Sequence, residues 1–215
     1  RPFTAEQEEQ KRDLSQRLHL HPAIVQLLLT RGLKEDKEID RFLFGKLSDL
    51  PNPFFLDGME RAVERLVTAI ESREKTLFFG DYDVDGICST TILTRVLREF
   101  GADARPFIPN RLRDGYDLGP AGVQAAIDAK ATLVVTCDCG TTAGDRVADL
   151  CHAGVDVIIT DHHLPGDVLP DCFALLNPNQ DRAESSGVEG ERNPDEDLAA
   201  VGVAFKLALA LAKRL

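Results

Sequence analysis

Three aspartates at alternate positions are the first residues whose types and spacing suit chemistry. The stretch "FFGDYDVDG" (78–86) carries Asp81, Asp83 and Asp85, followed at once by Gly86. Carboxylates this close repel one another unless water or a cation lies between them. The stretch therefore indicates either a solvated acidic turn or a cation site of the kind used in metal-dependent phosphoryl transfer.

A calcium loop of the EF-hand type begins with the same spacing, and the sequence itself tests that alternative. Such a loop needs a bidentate carboxylate at its twelfth position, which counted from Asp81 is Ile92. An EF-hand loop is also entered from a helix, whereas residues 76–79 form a short apolar run typical of a buried strand. Both observations disfavour calcium.

Two further groups of potential ligands each follow an apolar run directly: Asp138 follows residues 132–137, and Asp161, His162 and His163 follow residues 155–160. In an open parallel sheet the carboxyl ends of the strands form the edge where ligands bind. We therefore expect the three groups to converge on one rim, which favours a metal site over a solvated turn. Glycines 86, 140 and 166 follow closely and predict tight turns or close backbone approach.

The donor types predict which cation this rim would take. Carboxylates with one or two imidazoles, and no thiolate at suitable spacing, suit Mn2+ or Mg2+ better than a structural zinc ion. Several acids favour two ions, because one divalent cation would leave negative charge uncompensated. Two ions about 3.5 to 4 Å apart can stabilise the attacking and leaving oxygens of a phosphoryl displacement. As the middle group, Asp138 is the predicted bridge between them.

The elements that must position these residues alternate along the chain. An amphipathic helix is predicted within 57–74. The predicted strands are 76–80, 104–109, 132–137, 155–160 and a short piece at 172–176, and the predicted helices are 86–99, 120–129, 142–153 and 198–213. This alternation predicts an α/β fold with a doubly wound, mainly parallel sheet and helices on both faces.

The chain before this alternation has a different character. Residues 1–50 carry helical patterns and no strand signal, and "HPAIVQLLLTRG" (21–32) predicts a short helix. Pro51, Asn52 and Pro53 then break the pattern. We expect a small helical N-terminal segment at 1–50 and a separate domain at 51–215.

Composition narrows the class of protein. The chain has 215 residues, 43% hydrophobic and 28% charged, which is ordinary for a globular protein. Its formal charge of -11 argues against binding nucleic acid by overall attraction, although a local basic groove stays possible. No apolar stretch approaches the roughly 18 residues of a membrane span, and no signal peptide is evident, so a cytoplasmic location and no membrane partner are predicted. The five cysteines are predicted to be buried, reduced thiols.

The three acidic groups together resemble the motifs of the DHH phosphoesterase superfamily, whose name is the third motif, Asp161-His162-His163. The segments 107–119 and 198–211 and the pair Asn177-Pro178 are further similar to the RecJ family of bacterial exonucleases. The resemblance runs from about residue 40 to the end of the chain. It implies hydrolysis of single-stranded DNA from a 5′ end toward the 3′ end, with Mn2+ or Mg2+, in recombination and repair.

The resemblance also implies roles for the individual residues. The implied metal ligands are Asp83, Asp85, Asp138 and His162. Asp161 would orient its neighbours. His163 would face the scissile phosphate, as a hydrogen-bond donor or as the acid for the leaving group. Asp81 would either bind metal or order its water, and the sequence leaves both open.

A basic segment next to the motifs is a candidate for DNA binding. Arg105, Arg111 and Arg113 form the clearest local basic cluster of the chain. Their guanidinium groups are suited to holding a terminal 5′-phosphate bidentately and so setting polarity, and the alternative is a solvated loop. Tyr116 would stack on a base or pack the loop.

Two departures from the family pattern modify these expectations. The fourth motif, another aspartate, normally follows the last helix, so we expect the DHH domain at 51–215 to be C-terminally incomplete, without the associated domain and the oligonucleotide-binding fold. Some members carry a histidine where Phe79 stands, and its absence here removes one possible ligand.

The implied partners are single-stranded DNA, a single-strand-binding protein and a helicase. The alternatives are a DHH phosphodiesterase for short oligonucleotides or cyclic dinucleotides, and a catalytically silent scaffold.

Overall fold

A computed structural model describes residues 3–180, 195 and 198–215 and divides the chain into two compact units, Arg1–Leu50 and Pro51–Leu215. Over residues 3–50 the first unit contains three helices and a 3-10 turn: α1 (Ala5–Arg17), α2 (Pro22–Thr30), α3 (Asp36–Phe44) and the turn Leu47–Asp49. They pack around a small core of Leu14, Val25, Leu28 and Ile39. Pro22 occupies the first turn of α2, where its missing N–H costs nothing.

The second unit is built on a five-stranded sheet. Its strands are β1 (Lys75–Gly80), β2 (Asp103–Phe107), β3 (Leu133–Cys137), β4 (Asp156–Thr160) and β5 (Ala174–Leu176). They pair in the order β2-β1-β3-β4-β5, and every pair is parallel. The predicted α/β fold is thereby confirmed, and the sheet is parallel throughout the described residues rather than mainly so.

In the part of this unit that the structure describes, six helices and a 3-10 turn accompany the sheet: the turn Pro53–Phe55, α4 (Met59–Glu71), α5 (Val84–Glu99), α6 (Arg111–Asp114), α7 (Pro120–Ala129), α8 (Gly144–His152) and α9 (Ala200–Arg214). The short helix α6 was not predicted, since its segment was expected to be a loop. The Asn110 side chain accepts a hydrogen bond from the Leu112 N–H, and the Asn110 N–H donates to the Asp114 carboxylate. These two local bonds close a single turn that apolar periodicity cannot reveal.

Side chains of the strands alternate between two cores, one on each face of the sheet. Phe78 and Val135 face a core shared with α4, α5 and α9. Phe79 and Val134 face a core shared with α7 and α8. Strands covered on both faces are continuously apolar, which is why their positions were readable from the sequence. Phe79 is buried and stacks on Phe107, so this position serves packing.

The strand order creates a crevice at the carboxyl end of β1. From β1 the chain crosses through α5 to β2 on one side, and from β2 it returns through α7 to β3 on the other. Reversal of winding direction at this point leaves the loops after β1 and β3 on opposite sides of a gap. Ligands of doubly wound sheets bind in such a gap.

The expectation of five buried cysteines was partly wrong. Cys137 and Cys139 are buried, whereas Cys88 and Cys151 are exposed, and all five are free thiols. Cys88 and Cys151 lie on outer faces of helices, where neighbouring apolar residues do not imply burial. None of the helices in the described ranges has the length and apolar character needed to cross a bilayer.

Candidate metal centre

Strand register brings the three acidic groups side by side. Gly80 of β1 is paired with Cys137 of β3, and Cys137 is paired with Thr160 of β4. The residues that follow these partners are the aspartates at 81, 138 and 161. Their backbone N–H groups continue the ladder, since Asp81 donates to Cys137 (3.0 Å) and Asp138 donates to Thr160 (2.9 Å). The predicted convergence on one rim is therefore present.

The loop after β1 is closed tightly around Asp81. A Cβ on Gly86 would lie 2.4 Å from the Asp81 carbonyl oxygen, so only glycine fits there. Asp83 caps α5 and accepts a hydrogen bond from the Gly86 N–H (3.0 Å), and this bond lowers its pKa. Asp81 is buried, and desolvation together with the nearby Asp83 charge raises its pKa. A Cβ at Gly166 would meet open space, so no protein atom approaches the backbone closely at this glycine.

Asp85 is held by backbone N–H groups of α9. Its Oδ2 accepts the N–H of Ala200 (2.9 Å) and its Oδ1 accepts the N–H of Val201 (2.7 Å), both in the first turn of α9. Its Oδ2 also lies 3.7 Å from His162 Nε2. Each carboxylate oxygen keeps a second lone pair after accepting one hydrogen bond. The arrangement orients Asp85 while leaving it able to bind a cation.

Asp138 lies at the centre of the rim and is buried. Its φ of +66° is in the left-handed region, and Gly140 two residues later has a φ of +106°. Burial, with the negative charges of Asp85 and Asp83, raises the pKa of Asp138 to about 8. A strained backbone that directs a buried carboxylate toward other carboxylates is typical of functional sites.

The third motif forms a hydrogen-bonded unit. Asp161 Oδ1 accepts from the N–H of His162 (2.7 Å), the N–H of His163 (3.2 Å) and His163 Nδ1 (2.7 Å). Burial opposes ionisation of Asp161, but hydrogen bonds from His163 and Thr141 outweigh it and lower the pKa. The Asp161 hydrogen bond raises the pKa of His163 to about 9. His162 instead directs Nε2 toward Asp138 Oδ1, 3.3 Å away.

Two buried asparagines support these histidines, and sequence reasoning did not assign them a role. Asn177 Nδ2 donates to the His163 carbonyl (2.8 Å) and to Thr141 Oγ1 (2.9 Å). Asn179 Nδ2 donates to the His162 carbonyl (2.6 Å). Asn177 belongs to the pair that resembles the family, without a role of its own, and no local pattern distinguishes Asn179 from a turn residue.

Asp117 is a further residue that the motifs did not reveal. Its Oδ1 accepts from the Gly140 N–H (2.8 Å) and its Oδ2 from Thr142 Oγ1 (2.9 Å), which joins the segment before α7 to the loop after β3. It has a φ of +65°. Its neighbour Tyr116 places its hydroxyl 3.1 Å from His163 Nε2. The edge of the Tyr116 ring also contacts Tyr82, with centroids 6.3 Å apart.

The three arginines of the basic segment differ in their surroundings. Arg105 pairs with Asp103 (3.1 Å), and Arg113 pairs with Asp114 (2.7 Å), so acidic neighbours partly neutralise both. The guanidinium of Arg111 lies 5.1 Å from the centre of the Tyr82 ring, and Tyr82 stands between Asp81 and Asp83. Of the three, Arg111 is therefore placed beside the acidic rim.

Two clusters of potential ligands overlap at one carboxylate. Asp138, His162 and His163 form one cluster, and Asp81, Asp83 and Asp138 form the other, with ligand atoms within 4.8 Å of one another in each. Within the described residues, Asp81 Oδ1 and Asp138 Oδ1 are buried and make no hydrogen bond, although His162 Nε2 lies 3.3 Å from Asp138 Oδ1. Unpartnered buried carboxylate oxygens are costly. Oxygen and imidazole donors around such atoms fit a divalent cation of the Mn2+ or Mg2+ type.

Comparison with known proteins agrees with this geometry. The model of the DHH family, N-terminal domain, matches residues 75–214. The single-stranded-DNA-specific exonuclease RecJ of Bacillus subtilis is 36% identical over 204 residues, which cover 95% of this chain and 25% of the relative. RecJ of Haemophilus influenzae is 38% identical over 192 residues, covering 89% and 31%. The chain thus spans about a quarter to a third of these relatives.

Solved structures give the same assignment. The crystal structure of exonuclease RecJ bound to manganese matches with a TM-score of 0.63 and 36% identity, covering 77% of this chain and 39% of the other. RecJ of Thermus thermophilus in complex with Mn2+ matches with a TM-score of 0.70 and 31% identity, covering 96% and 27%. With its motifs on one rim of a parallel sheet and the family model matched over 75–214, the chain belongs to the DHH family.

Proposed function

We propose that this chain carries the metal-binding catalytic site of an exonuclease that hydrolyses phosphodiester bonds of single-stranded DNA from a 5′ end. The observation that carries the proposal is the overlap of two ligand clusters at Asp138. One carboxylate shared between two adjacent sites is the arrangement expected for a pair of divalent ions. The RecJ relatives, named for activity on single-stranded DNA, support the choice of substrate.

The proposed ligands of the two Mn2+ or Mg2+ ions are Asp83, Asp85, Asp138 and His162, with Asp81 as a ligand or as an acceptor for metal-bound water. When bound, the ions would supply the positive charge that stabilises the attacking and leaving oxygens. They would also satisfy the unpartnered oxygens of Asp81 and Asp138. Asp85 is held for this role by α9, and His162 is held by Asn179.

His163 and Asp161 are proposed to act on the scissile phosphate. The hydrogen bond of Asp161 to Nδ1 fixes the ring and keeps it protonated at neutral pH, consistent with the pKa of about 9. Nε2 is then the donor that does not contact Asp161, and it points toward the Tyr116 hydroxyl, 3.1 Å away. A phosphate oxygen in place of that hydroxyl would receive the proton or the hydrogen bond. Tyr116 would move to stack on a base as the phosphate enters.

Arg111 is the proposed contact for the terminal 5′-phosphate. It lies over Tyr82 next to the rim, whereas Arg105 and Arg113, also proposed DNA contacts, are paired with acidic neighbours. A guanidinium above the rim would hold a phosphate one nucleotide from the reacting one and so set polarity. Supply of single strands would come from a helicase and a single-strand-binding protein, which we propose as partners in repair and recombination in the cytoplasm.

Replacement of Asp138 tests the metal-dependent chemistry. Asp138→Ala should abolish Mn2+-dependent release of nucleotides, a loss larger than the roughly 10- to 100-fold effect typical of outer-shell partners. Circular dichroism should show an unchanged fold. The exposed Asp167 provides the matched control, since Asp167→Ala should retain activity. Undiminished turnover in the Asp138 variant would defeat the proposal of a shared ligand.

Replacement of Arg111 tests the proposed polarity. Arg111→Ala should reduce the preference for a 5′-phosphorylated over a 5′-hydroxyl end more than it slows cleavage, and Arg113→Ala is the comparison within the same helix. Equal losses on both ends would count against a phosphate contact. Hydrolysis of a long single strand should also exceed hydrolysis of a dinucleotide, and this comparison distinguishes an exonuclease from a phosphodiesterase for short oligonucleotides.

A further inference from the structure

A buried ion pair lies outside the candidate metal centre. Lys206 on α9 forms an ion pair with Asp195, and these residues are only 2% and 3% exposed. Replacing such a pair by apolar groups is often neutral for stability, whereas removing one partner is costly. Stability alone therefore does not explain two buried charges at this position. The contacts that Asp195 and Lys206 make near the start of α9 indicate a positioning role.

The pair is connected to the start of α9. The Asp195 carbonyl accepts a hydrogen bond from the Leu198 N–H (3.0 Å), immediately before the helix begins. Lys206 lies in the second turn of α9, and its side chain reaches back to Asp195, which precedes the helix. The ion pair therefore links a residue before the first turn to a residue after it. The position of the first turn is thus tied to a charge pair inside the core.

That first turn is the part of α9 that contacts the metal centre. Ala199, the residue before the helix, offers no side-chain cap, so the first N–H groups lack an intrahelical or local partner. Asp85, 115 residues earlier, accepts the N–H groups of Ala200 and Val201. A carboxylate at a helix N-terminus also gains from the helix dipole. A shift of the helix start would therefore reorient Asp85.

We propose that Lys206 and Asp195 are positioning residues: their ion pair fixes the start of α9 so that its N–H groups hold Asp85 in the orientation that binds a divalent ion. This inference rests on the proposed function, because it takes Asp85 as a metal ligand. It does not involve contact of either residue with DNA or with the ion. It predicts that metal affinity depends on a charge pair in the core.

Two measurements on the 215-residue chain test the positioning role. The double variant Lys206→Met with Asp195→Leu removes both charges and retains apolar volume. In metal-free protein, hydrogen exchange of the Ala200 and Val201 amides should become at least about 10-fold faster, because Asp85 no longer protects them. Mn2+ affinity, measured by electron paramagnetic resonance of free Mn2+, should fall about 10- to 100-fold. Unchanged exchange and affinity in the folded double variant would overturn the inference.

A milder variant covers the case in which the double variant does not fold. Asp195→Asn keeps the size and one acceptor oxygen for Lys206, and it should show the same two changes to a smaller extent. Lys206→Arg keeps the charge and should bind Mn2+ within about 3-fold of the unmodified chain. Wild-type affinity in Asp195→Asn, or a 10-fold loss in Lys206→Arg, would contradict a role for the charge pair.

Controls separate this inference from the proposed function. Arg214 pairs with Glu60 at the other end of α9, so Arg214→Gln removes an ion pair of the same helix without touching its start. Its Mn2+ affinity and amide exchange should be unchanged, and a loss equal to that of the double variant would overturn the inference. Asp138→Asn should lose Mn2+ binding. If the unmodified chain binds no Mn2+, the proposed function fails, whereas amide exchange still shows whether the ion pair holds the Ala200 and Val201 N–H groups on Asp85.

Discussion

The two edges of the central sheet treat their acidic residues in opposite ways. At the amino edge, Glu74 precedes β1 and Asp156 begins β4, and Arg65 of α4 joins them, with Nη2 2.7 Å from Glu74 and Nε 2.6 Å from Asp156. Thr132, before β3, also donates to Glu74 (2.5 Å). The hydrogen bond from Arg65 lowers the pKa of Glu74. Both of these acids therefore have a partner that stabilises their charge.

At the carboxyl edge the acids gather without a comparable cation. Asp81 and Asp138 are buried, and burial raises the pKa of both. Among the described residues the basic groups that form ion pairs with acids of this edge are His162 and His163, and the hydrogen bond to Asp161 raises the pKa of His163. The same fold therefore stabilises negative charge at one edge and concentrates it at the other. Burial of uncompensated carboxylates at the carboxyl edge lowers the stability of the metal-free fold, as is typical of sites that bind a ligand.

The largest change in the free energy of unfolding is expected when the amino edge loses Arg65. Arg65→Met should lower the free energy of unfolding by about 3 kcal/mol, because it leaves Glu74 partly buried without its cation. Chemical denaturation at pH 7 measures this loss. The exposed Arg95 serves as the control, since Arg95→Met should change stability by less than about 0.5 kcal/mol. A loss no larger than in the control would mean that the amino edge is not held by charge.

The opposite sign is expected at the carboxyl edge. Without divalent ions, Asp138→Asn should raise the free energy of unfolding by about 1–2 kcal/mol at pH 8, because it removes a buried charge next to two others. In the unmodified chain, Mn2+ at 100 times its dissociation constant should add about 2.7 kcal/mol, and the variant should lose this gain. Destabilisation of the metal-free variant would show that Asp138 already has a stabilising partner.

The pKa shifts predict different pH windows for the two edges. Glu74 has a lowered pKa, so its contribution is present above the ordinary glutamate pKa and is lost as pH falls through the lowered value. Asp138 keeps its proton up to about pH 8 in the folded chain but loses it near 3.8 when unfolded. The folded state thus binds more protons in that interval, and metal-free stability falls as pH rises.

His163 acts in the same direction over a higher window. Its pKa rises from 6.5 to about 9 on folding, so the stability it contributes is lost as pH rises through about 9. Thermal unfolding of metal-free protein should therefore give a lower Tm at pH 8.5 than at pH 5.5, and because two groups contribute, the difference should exceed the roughly 2–4 °C that correspond to about 1 kcal/mol. Asp138→Asn should flatten the profile. A higher Tm at pH 8.5 would contradict both assignments.

The sequence predicted one edge of the sheet much better than the other. Strand and helix positions followed from apolar runs and periodicity, and the motif aspartates followed from their place after each run. The role of Arg65 was not predicted, because helical periodicity only places this residue on a polar flank of α4. Periodicity cannot identify Asp156, 91 residues later, as its partner. Asp117 and Asn179 were missed for the same reason, since their hydrogen bonds depend on loops whose course no local pattern determines.

Asp85 illustrates the limit within the motif itself. Spacing made it a candidate ligand, and the resemblance assigned it to the metal, but neither indicated that α9 supplies its hydrogen-bond donors. Contacts between elements so far apart in sequence are decided by packing of the core, in this case of α9 against α5. The residue types at a site are therefore readable from sequence, whereas the supports that orient them are not.

The smallest predicted effect refines the comparison at the amino edge. Thr132→Val keeps the shape of the side chain and removes only the O–H that donates to Glu74, so the free energy of unfolding should fall by about 1 kcal/mol at pH 7. The loss should shrink as pH falls through the lowered pKa of Glu74, because the protonated carboxyl group no longer needs a second donor. Denaturation of both proteins at pH 7 and at a series of lower pH values measures the difference. A loss independent of pH would attribute the effect to packing, and the amino edge would then depend on Arg65 alone.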